Sequence, residues 1–502
     1  MKSAWTILTL MIILLLPALL ASCAGDDDDD NPGSNPGQTQ DDDNDGADDD
    51  DDDDNNNDDD NNDNDTSPAE IWDALTPQGL PVDQVMGTST QMYDGPDDNW
   101  YRDFEIPKLV EAGLFRLRAS IDWPDVEPEQ DQFTFAYSDP FVQLVIDAGL
   151  RFDGRLCYGV DWAAPDDNDS AIPPADFGDY AGHVAEHYCG VIDSWEIWNE
   201  ENVKVFWQPE PDPQVFGDIM KAVFIAVHDA CPDAKVVFGG LTPFEGNSLV
   251  GQGLYRFLDE VRAVHPDIGD YFDVMAIHPY TLGQTPTPEY ALLFGDYEFW
   301  PSLPGQVRTA RQRLADMGVP DKPIWATEYG WPSLLIGEQA QADFLVRGAL
   351  LGLTEGVEAM DWYTFYDREP GSSTLPTEDY FGLYSWPDAE GGPQQKPVYR
   401  AARGLYRVLG DARYAGDLSA ALSLPDSVYG LGFVNEQTGQ IYLAAWDGRY
   451  KKTTSLTLPC PAATQSYEVL DEEGESVAQG GAVESLTLEL TGQVTYVRFD
   501  LE

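Results

Sequence analysis

An eightfold alternation constrains this chain more than any other feature. Between Asp83 and Leu409, short runs rich in β-branched and aromatic residues alternate with longer stretches whose apolar residues recur at helical spacing. The strand-like runs are 84–87, 114–120, 151–159, 194–199, 235–239, 274–278, 324–328 and 357–363. Amphipathic segments such as 213–230, 253–264, 306–317 and 339–353 lie between them, each closed by Gly, Pro or Asp before the next run. Eight such units in order predict a (β/α)8 TIM barrel. A doubly wound sheet would also alternate. It is disfavoured because no glycine-rich phosphate loop follows the first run, and because the unit count suits closure.

After a helix-like stretch at 397–409 the period changes. The runs 430–434, 441–446, 467–470, 486–490 and 494–499 alternate apolar and polar residues between Gly-bearing turns, which predicts a small C-terminal antiparallel β-sandwich over 411–502. Its exposed aromatic residues are few, so packing against the barrel is expected rather than independent sugar binding. The barrel itself is expected over 67–410.

The first 23 residues read as an export signal. Lys2 precedes an apolar run from Ile7 to Leu20 that ends in Leu20-Ala21-Ser22-Cys23. This pattern resembles the lipobox of bacterial lipoproteins, and the resemblance implies lipidation of Cys23, with anchoring to the cell envelope at the outer membrane or cell surface. Between Asp26 and Asp65 stand 21 aspartates and no Lys or Arg. Such a segment buries too little apolar surface to offset its ordering entropy, so 24–66 is expected to be a disordered linker. Without it the chain, which carries 91 acidic against 27 basic residues in total, is still strongly anionic. Nucleic acid is therefore excluded as a partner, and contact with a membrane is expected only through the anchor. A monomer is expected.

The five cysteines and five histidines show no CxxC or HExxH spacing, so neither a metal nor a cofactor is expected. Cys189 and Cys231 each stand just before strands that would be neighbours in a parallel barrel. An oxidising compartment would permit a disulfide between them. Cys157 lies within an apolar run and reads as a small buried hydrophobe, and Cys460 lies beyond the barrel.

In a barrel of this kind chemistry collects where the strands end, and two strands end in glutamates. One run reads Trp195-Glu196-Ile197-Trp198-Asn199-Glu200, and another reads Ile324-Trp325-Ala326-Thr327-Glu328-Tyr329-Gly330-Trp331. Further marks are Arg118 with Trp123 and Val126-Glu127-Pro128, then His278-Pro279-Tyr280, then Trp362. Together, in this order, they resemble the clan A retaining glycoside hydrolases, most of all family 39 and the related family 5, across essentially the whole barrel.

The resemblance implies hydrolysis of β-glycosidic bonds in oligo- or polysaccharides by double displacement, with Glu200 as acid/base and Glu328 as nucleophile. It further implies that Asn199 hydrogen-bonds the sugar 2-hydroxyl, that Arg118 keeps Glu328 ionised, that Tyr280 donates to the same carboxylate, and that His278 contacts sugar or Glu200. Trp362 is expected to floor the cleaved subsite. Trp162, Trp207 and Trp331 fall in loops after strands and are expected to extend the cleft or to join the core, while Trp195 and Glu196 are expected to pack inside the barrel. Many relatives follow the acid/base with Pro-Asn, whereas this chain has Glu201-Asn202. Facing the cleft, Glu201 would alter the acid; facing solvent, it would do nothing. A transglycosylase using the same glutamates and a catalytically silent sugar-binding lipoprotein remain as alternatives.

Overall fold

Residues 68–502 are described by a computed structural model, apart from 91, 93–98, 244–254, 282–286, 291, 295–296, 374, 388–391 and 450. The signal segment, Cys23 and the Asp-rich linker lie outside the described residues.

Eight parallel strands close into a barrel in sequence order: β1 (Met86–Ser89), β2 (Arg116–Ser120), β3 (Arg151–Leu156), β4 (Ser194–Ile197), β5 (Lys235–Leu241), β6 (Val274–Ile277), β7 (Ile324–Tyr329) and β8 (Ala359–Tyr363), with β8 pairing back to β1. They are followed in turn by α1 (Ile106–Ala112), α2 (Asp139–Asp147), α3 (Pro174–His187), α4 (Pro213–Ala230), α5 (Arg256–Val264), α6 (Leu303–Asp316), α7 (Glu338–Thr354) and α8 (Pro397–Leu409). Strands covered on both faces read as continuous apolar runs, as Val236-Val237-Phe238 does in β5. Helix starts follow local chemistry. Asp212 caps α4, its Oδ1 accepting the Gln214 and Val215 N–H groups at 3.1 Å, and Pro213 fills the first turn, where no N–H is needed.

Strand bounds differ from expectation by one to three residues, and at two of them the backbone reason is plain. Pro81 opens a one-turn helix, Val82–Val85, that buries both valines, so β1 starts at Met86 rather than 84. Strand β4 stops at Ile197 because Trp198 adopts the left-handed conformation, with φ +70°.

The barrel interior is layered. At its base Val237, Val274, Ala276, Trp325 and Ala359 form an apolar floor, and the Arg116 guanidinium lies 4.5 Å above the Trp325 ring. Above it Arg116 pairs with Asp153 at 2.7 Å and approaches Asp361 at 3.7 Å. The next layer, toward the strand ends, holds Arg118 and Glu196.

The strands that follow the barrel are β9 (Arg413–Asp417), β10 (Val428–Asn435), β11 (Gln440–Asp447), β12 (Thr454–Pro459), β13 (Thr464–Leu470), β14 (Ser476–Gly481), β15 (Ser485–Leu490) and β16 (Thr495–Leu501). Six form one antiparallel sheet in the order β9-β10-β11-β16-β13-β14, and β12 and β15 pair separately across a core that includes Leu443, Leu458, Leu490, Val497 and Phe499. Three of these strands, β9, β12 and β14, lie outside the runs expected from the sequence. β14 is the extreme case: it is an edge strand, exposed at all but one position, so no buried face selects its residues.

Residues that precede the barrel serve this sandwich. Trp72 meets Phe499 edge-on at 5.2 Å and donates to the Pro459 carbonyl, and Thr76 N–H donates to the Ala415 carbonyl. The sandwich also docks on the barrel through a buried polar knot. Arg347 of α7 donates to Glu289 at 2.7 Å, and the Trp446 indole of β11 donates to the same carboxylate at 2.8 Å. Trp446 is fully buried and stacked on Tyr429 at 4.9 Å, so it serves packing. Cys189 and Cys231, which follow α3 and α4, form a disulfide with Cα atoms 5.5 Å apart.

Candidate active site

The site lies at the carboxyl ends of the strands, where backbone irregularities aim the side chains. At the end of β4 both Trp198 and Glu200 are left-handed, with φ +70° and +49°. Such conformations cost about 1–3 kcal/mol each for residues with side chains and persist only where neighbours enforce them. Here the Trp198 N–H donates to the Leu156 carbonyl, its indole to the Phe206 carbonyl at 2.8 Å, and the Glu200 N–H to the Gly240 carbonyl at 3.2 Å.

On β7 the pairing with β8 slips, so that Ala326 opposes Met360 but Tyr329 opposes Trp362. The extra residue is a bulge that breaks the alternation of sides. Consequently consecutive residues reach the interior: Thr327 donates to Glu196 at 3.3 Å, and Glu328 enters the cluster above it.

Glu328 is held as a carboxylate. Its Oε1 accepts from Arg118 at 2.7 Å, with Arg155 3.9 Å away; its Oε2 accepts from the Tyr280 hydroxyl at 3.0 Å, with His278 3.7 Å away. Burial by itself would push this carboxyl up. His278, Arg118, Arg155 and the tyrosine bond outweigh burial and hold it at about 2. Glu200 lies opposite, with His278 Nδ1 2.9 Å from its Oε1. Burial raises its pKa, the contact with His278 opposes this, and the charge of Glu328 raises it further. Two carboxyl groups with nearest oxygens within 4.8 Å are thus driven in opposite directions.

The supporting shell is shared. Arg118 makes a fork to Glu196 at 2.7 and 2.8 Å, and also reaches Ser89 and Asn199. Asn199 Oδ1 accepts from Arg118 at 3.0 Å and Arg155 at 2.8 Å, which fixes its amide and leaves Nδ2 as the group not used by the arginines. Arg155, whose Nε donates to Ser120 at 2.8 Å, was not among the expected residues. Its position two residues before Cys157 on the inward side of β3 was the available signal.

The cleft roles expected of Trp362 and Trp331 need correction, and Trp207 takes the core alternative. Trp362 and Trp331 are excluded from solvent, with exposures of 0% and 1%. Their indoles donate to the Phe381 carbonyl and the Thr281 hydroxyl, and they pack against each other behind the strands. Trp207 is likewise fully buried, its indole donating to Ser170. None of the three lines a cleft. Strand alternation gives the reason: Asp361 faces the barrel interior, so Trp362 faces the helices and Tyr363 turns back toward the site. Tyr363 is half-buried, accepts from Arg368 at 2.9 Å and contacts Glu378 at 3.4 Å. Burial pushes Glu378 up to about 7, with Glu200 and Glu328 adding to the rise, so a third carboxyl borders the pair. Trp162 remains partly exposed, its indole donating to the Glu127 carbonyl. Glu127 is structural, accepting from Trp123 at 2.7 Å.

Glu201 faces neither cleft nor solvent: it is completely buried. As to metals, one ligand atom each from Glu200, His278 and Glu328 lies within 4.8 Å of the others, a spacing a cation would accept, but Arg118 already supplies the positive charge at Glu328.

No protein-family model matches the sequence. A curated endo-1,4-β-xylanase A of Phanerodontia chrysosporium is 22% identical over 261 residues, half of this chain, which spans 59% of that protein's length. A family 39 glycoside hydrolase of the gut symbiont Bacteroides cellulosilyticus WH2 superposes with a TM-score of 0.66 at 20% identity, covering 85% of this chain and 83% of that one. A GH39 β-xylosidase of Caulobacter crescentus superposes with a TM-score of 0.59 at 15% identity, covering 85% and 98%. This chain, a closed eight-stranded barrel with a C-terminal antiparallel β-domain, has the fold of the family 39 glycoside hydrolases.

Proposed function

We propose that the protein is a retaining glycoside hydrolase that cleaves β-glycosidic bonds in oligo- or polysaccharides. One observation carries the reading. Glu200 and Glu328 approach within 4.8 Å, Glu328 held ionised by Arg118 and Tyr280 while burial, opposed by His278 and reinforced by the charge of Glu328, raises the pKa of Glu200. Retaining enzymes need carboxyl groups about 5–5.5 Å apart, whereas inverting ones leave about 6.5–9.5 Å for a water.

In this mechanism Glu328 Oε2 or Oε1 attacks the anomeric carbon as the Glu200 proton passes to the leaving oxygen. Glu200, now ionised, then takes a proton from water, which displaces Glu328 and restores the starting state. Asn199 Nδ2 is oriented to donate to the 2-hydroxyl of the sugar. Tyr363, Arg368 and Glu378 offer polar contacts to the same ring. The names borne by the similar proteins make β-xylosides the first substrates to try. The reading includes export, with Cys23 as the lipid anchor and the Asp-rich segment as tether.

The soluble form lacking residues 1–66 is assayed on a polysaccharide and aryl-glycoside panel, with product configuration followed by NMR. First-formed products of unchanged anomeric configuration are expected, with Glu328→Gln inert. Inverted products, or activity that survives Glu328→Gln, would overturn the mechanism.

A further inference from the structure

The Glu201-Asn202 pair does more than follow the acid/base in sequence. On β5 the pairing with β6 slips between Phe238 and Leu241, and the two residues at the slip are Gly239 and Gly240. No side chain fits there. A Cβ on Gly239 would stand 2.3 Å from Glu201 Oε2 and 2.5 Å from the Ile197 carbonyl oxygen, and one on Gly240 would stand 2.1 Å from His278 Nε2. The glycines thus open one slot for Glu201 and another for the histidine that contacts Glu200. Beside this slot, Asn202 makes a paired bond to Thr242, the residue that follows β5, donating to its carbonyl at 2.7 Å and accepting its N–H at 3.3 Å.

Glu201 is completely buried, and neither of its oxygens has a hydrogen-bond partner among the described residues. The charged neighbours that bear on it are Glu196 and Glu200, both acids. Arg118 is committed to Glu196, Asn199 and Glu328, and His278 to Glu200. A carboxylate there would be desolvated, with its own backbone N–H set against two acids, whereas the un-ionised acid carries no charge to desolvate.

We propose that Glu201 is a positioning residue for Glu200, carried as the un-ionised acid and seated in the Gly239 slot, so that the left-handed acid/base residue is held against β5. The inference rests on the acid/base reading of Glu200. Burial, reinforced by Glu196 and Glu200, raises the Glu201 pKa well above that of a free glutamate, which accords with this state. It also sets a sign. A carboxyl whose folded pKa is raised contributes stability that is fully present below its unfolded value, near 4.5, and is lost as pH rises toward the folded value.

The test compares the parent with Glu201→Gln and Glu201→Ala, measuring kcat and KM on the best glycoside and Tm from about pH 4 to about pH 8. Gln keeps shape and a donor without a titrating proton, so E201Q is expected to retain kcat, and its Tm advantage over the parent to grow as pH rises. E201A empties the slot and is expected to lose about 100-fold in kcat with KM little changed, the scale of a small misplacement of a reacting group. Unchanged kcat in E201A, an E201Q as impaired as E201A, or a Tm gap independent of pH each overturns the proposal. A parent inert on every glycoside that still shows the growing Tm gap sinks the glycosidase reading instead, and with it the role assigned to Glu200.

Discussion

Removing one hydroxyl, by Tyr280→Phe, tests how Glu328, the proposed nucleophile, is kept ionised. The Tyr280 Oη donates to Glu328 Oε2 at 3.0 Å, and its ring packs edge-on to Phe381 and His278, contacts a phenylalanine retains. A hydrogen bond to a charged acceptor is worth about 1.5–3 kcal/mol, which at about 1.4 kcal/mol per pKa unit corresponds to a rise of about 1–2 units. Glu328 starts from about 2. The acid limb of kcat/KM, which reports the free enzyme, should therefore move from about 2 to about 3–4. The sign for stability follows. A depressed carboxyl contributes stability present above its unfolded value and lost as pH falls toward its folded one, so the variant loses part of that contribution at neutral pH. In the proposed double displacement the same bond must be remade when the second step expels the Glu328 carboxylate. Deglycosylation should slow by about 10- to 150-fold and a burst should appear in stopped-flow traces with an activated aryl glycoside. Circular dichroism at each pH separates unfolding from titration. An acid limb that stays in place, with the fold intact and no burst, would refute the assignment of Tyr280 to the ionised Glu328.

Two further outcomes follow from the geometry. Cutting the Cys189–Cys231 disulfide, which spans 42 residues, releases unfolded-chain entropy worth about 4 kcal/mol; Cys231→Ser should lower the midpoint of a denaturant titration while leaving kcat near the parent value at 25 °C. Trp331→Phe and Tyr363→Ala should separate packing from contact. The first, in the buried layer, lowers stability by roughly 1–3 kcal/mol with KM unchanged, and the second raises KM with little change in Tm; the opposite assignment in calorimetry and kinetics would restore a cleft role to Trp331.

What the amino-acid sequence determined by itself was whatever depends on local period and chain order. The eight strand-helix units are readable because buried parallel strands and amphipathic helices carry periods of their own, and Glu200 and Glu328 stand at strand ends, which a barrel brings to one face. Arg118, Tyr280 and His278 were legible for the same reason, each lying in or just after a strand-like run. Tertiary structure decided the facing of side chains wherever the backbone departs from regular alternation. A bulge turns Glu328 inward beside Thr327, left-handed residues set Glu200, and paired glycines on a different strand bury Glu201. Simple alternation, applied from Asp361, would have placed Tyr363 at the site and Trp362 behind it; the size of the indole was the misleading signal. Arg155 and the Glu378 carboxyl owe their roles to distant partners, Asn199 and Tyr363 among them, and charge in a shared interior depends on contacts between strands that no window of sequence contains.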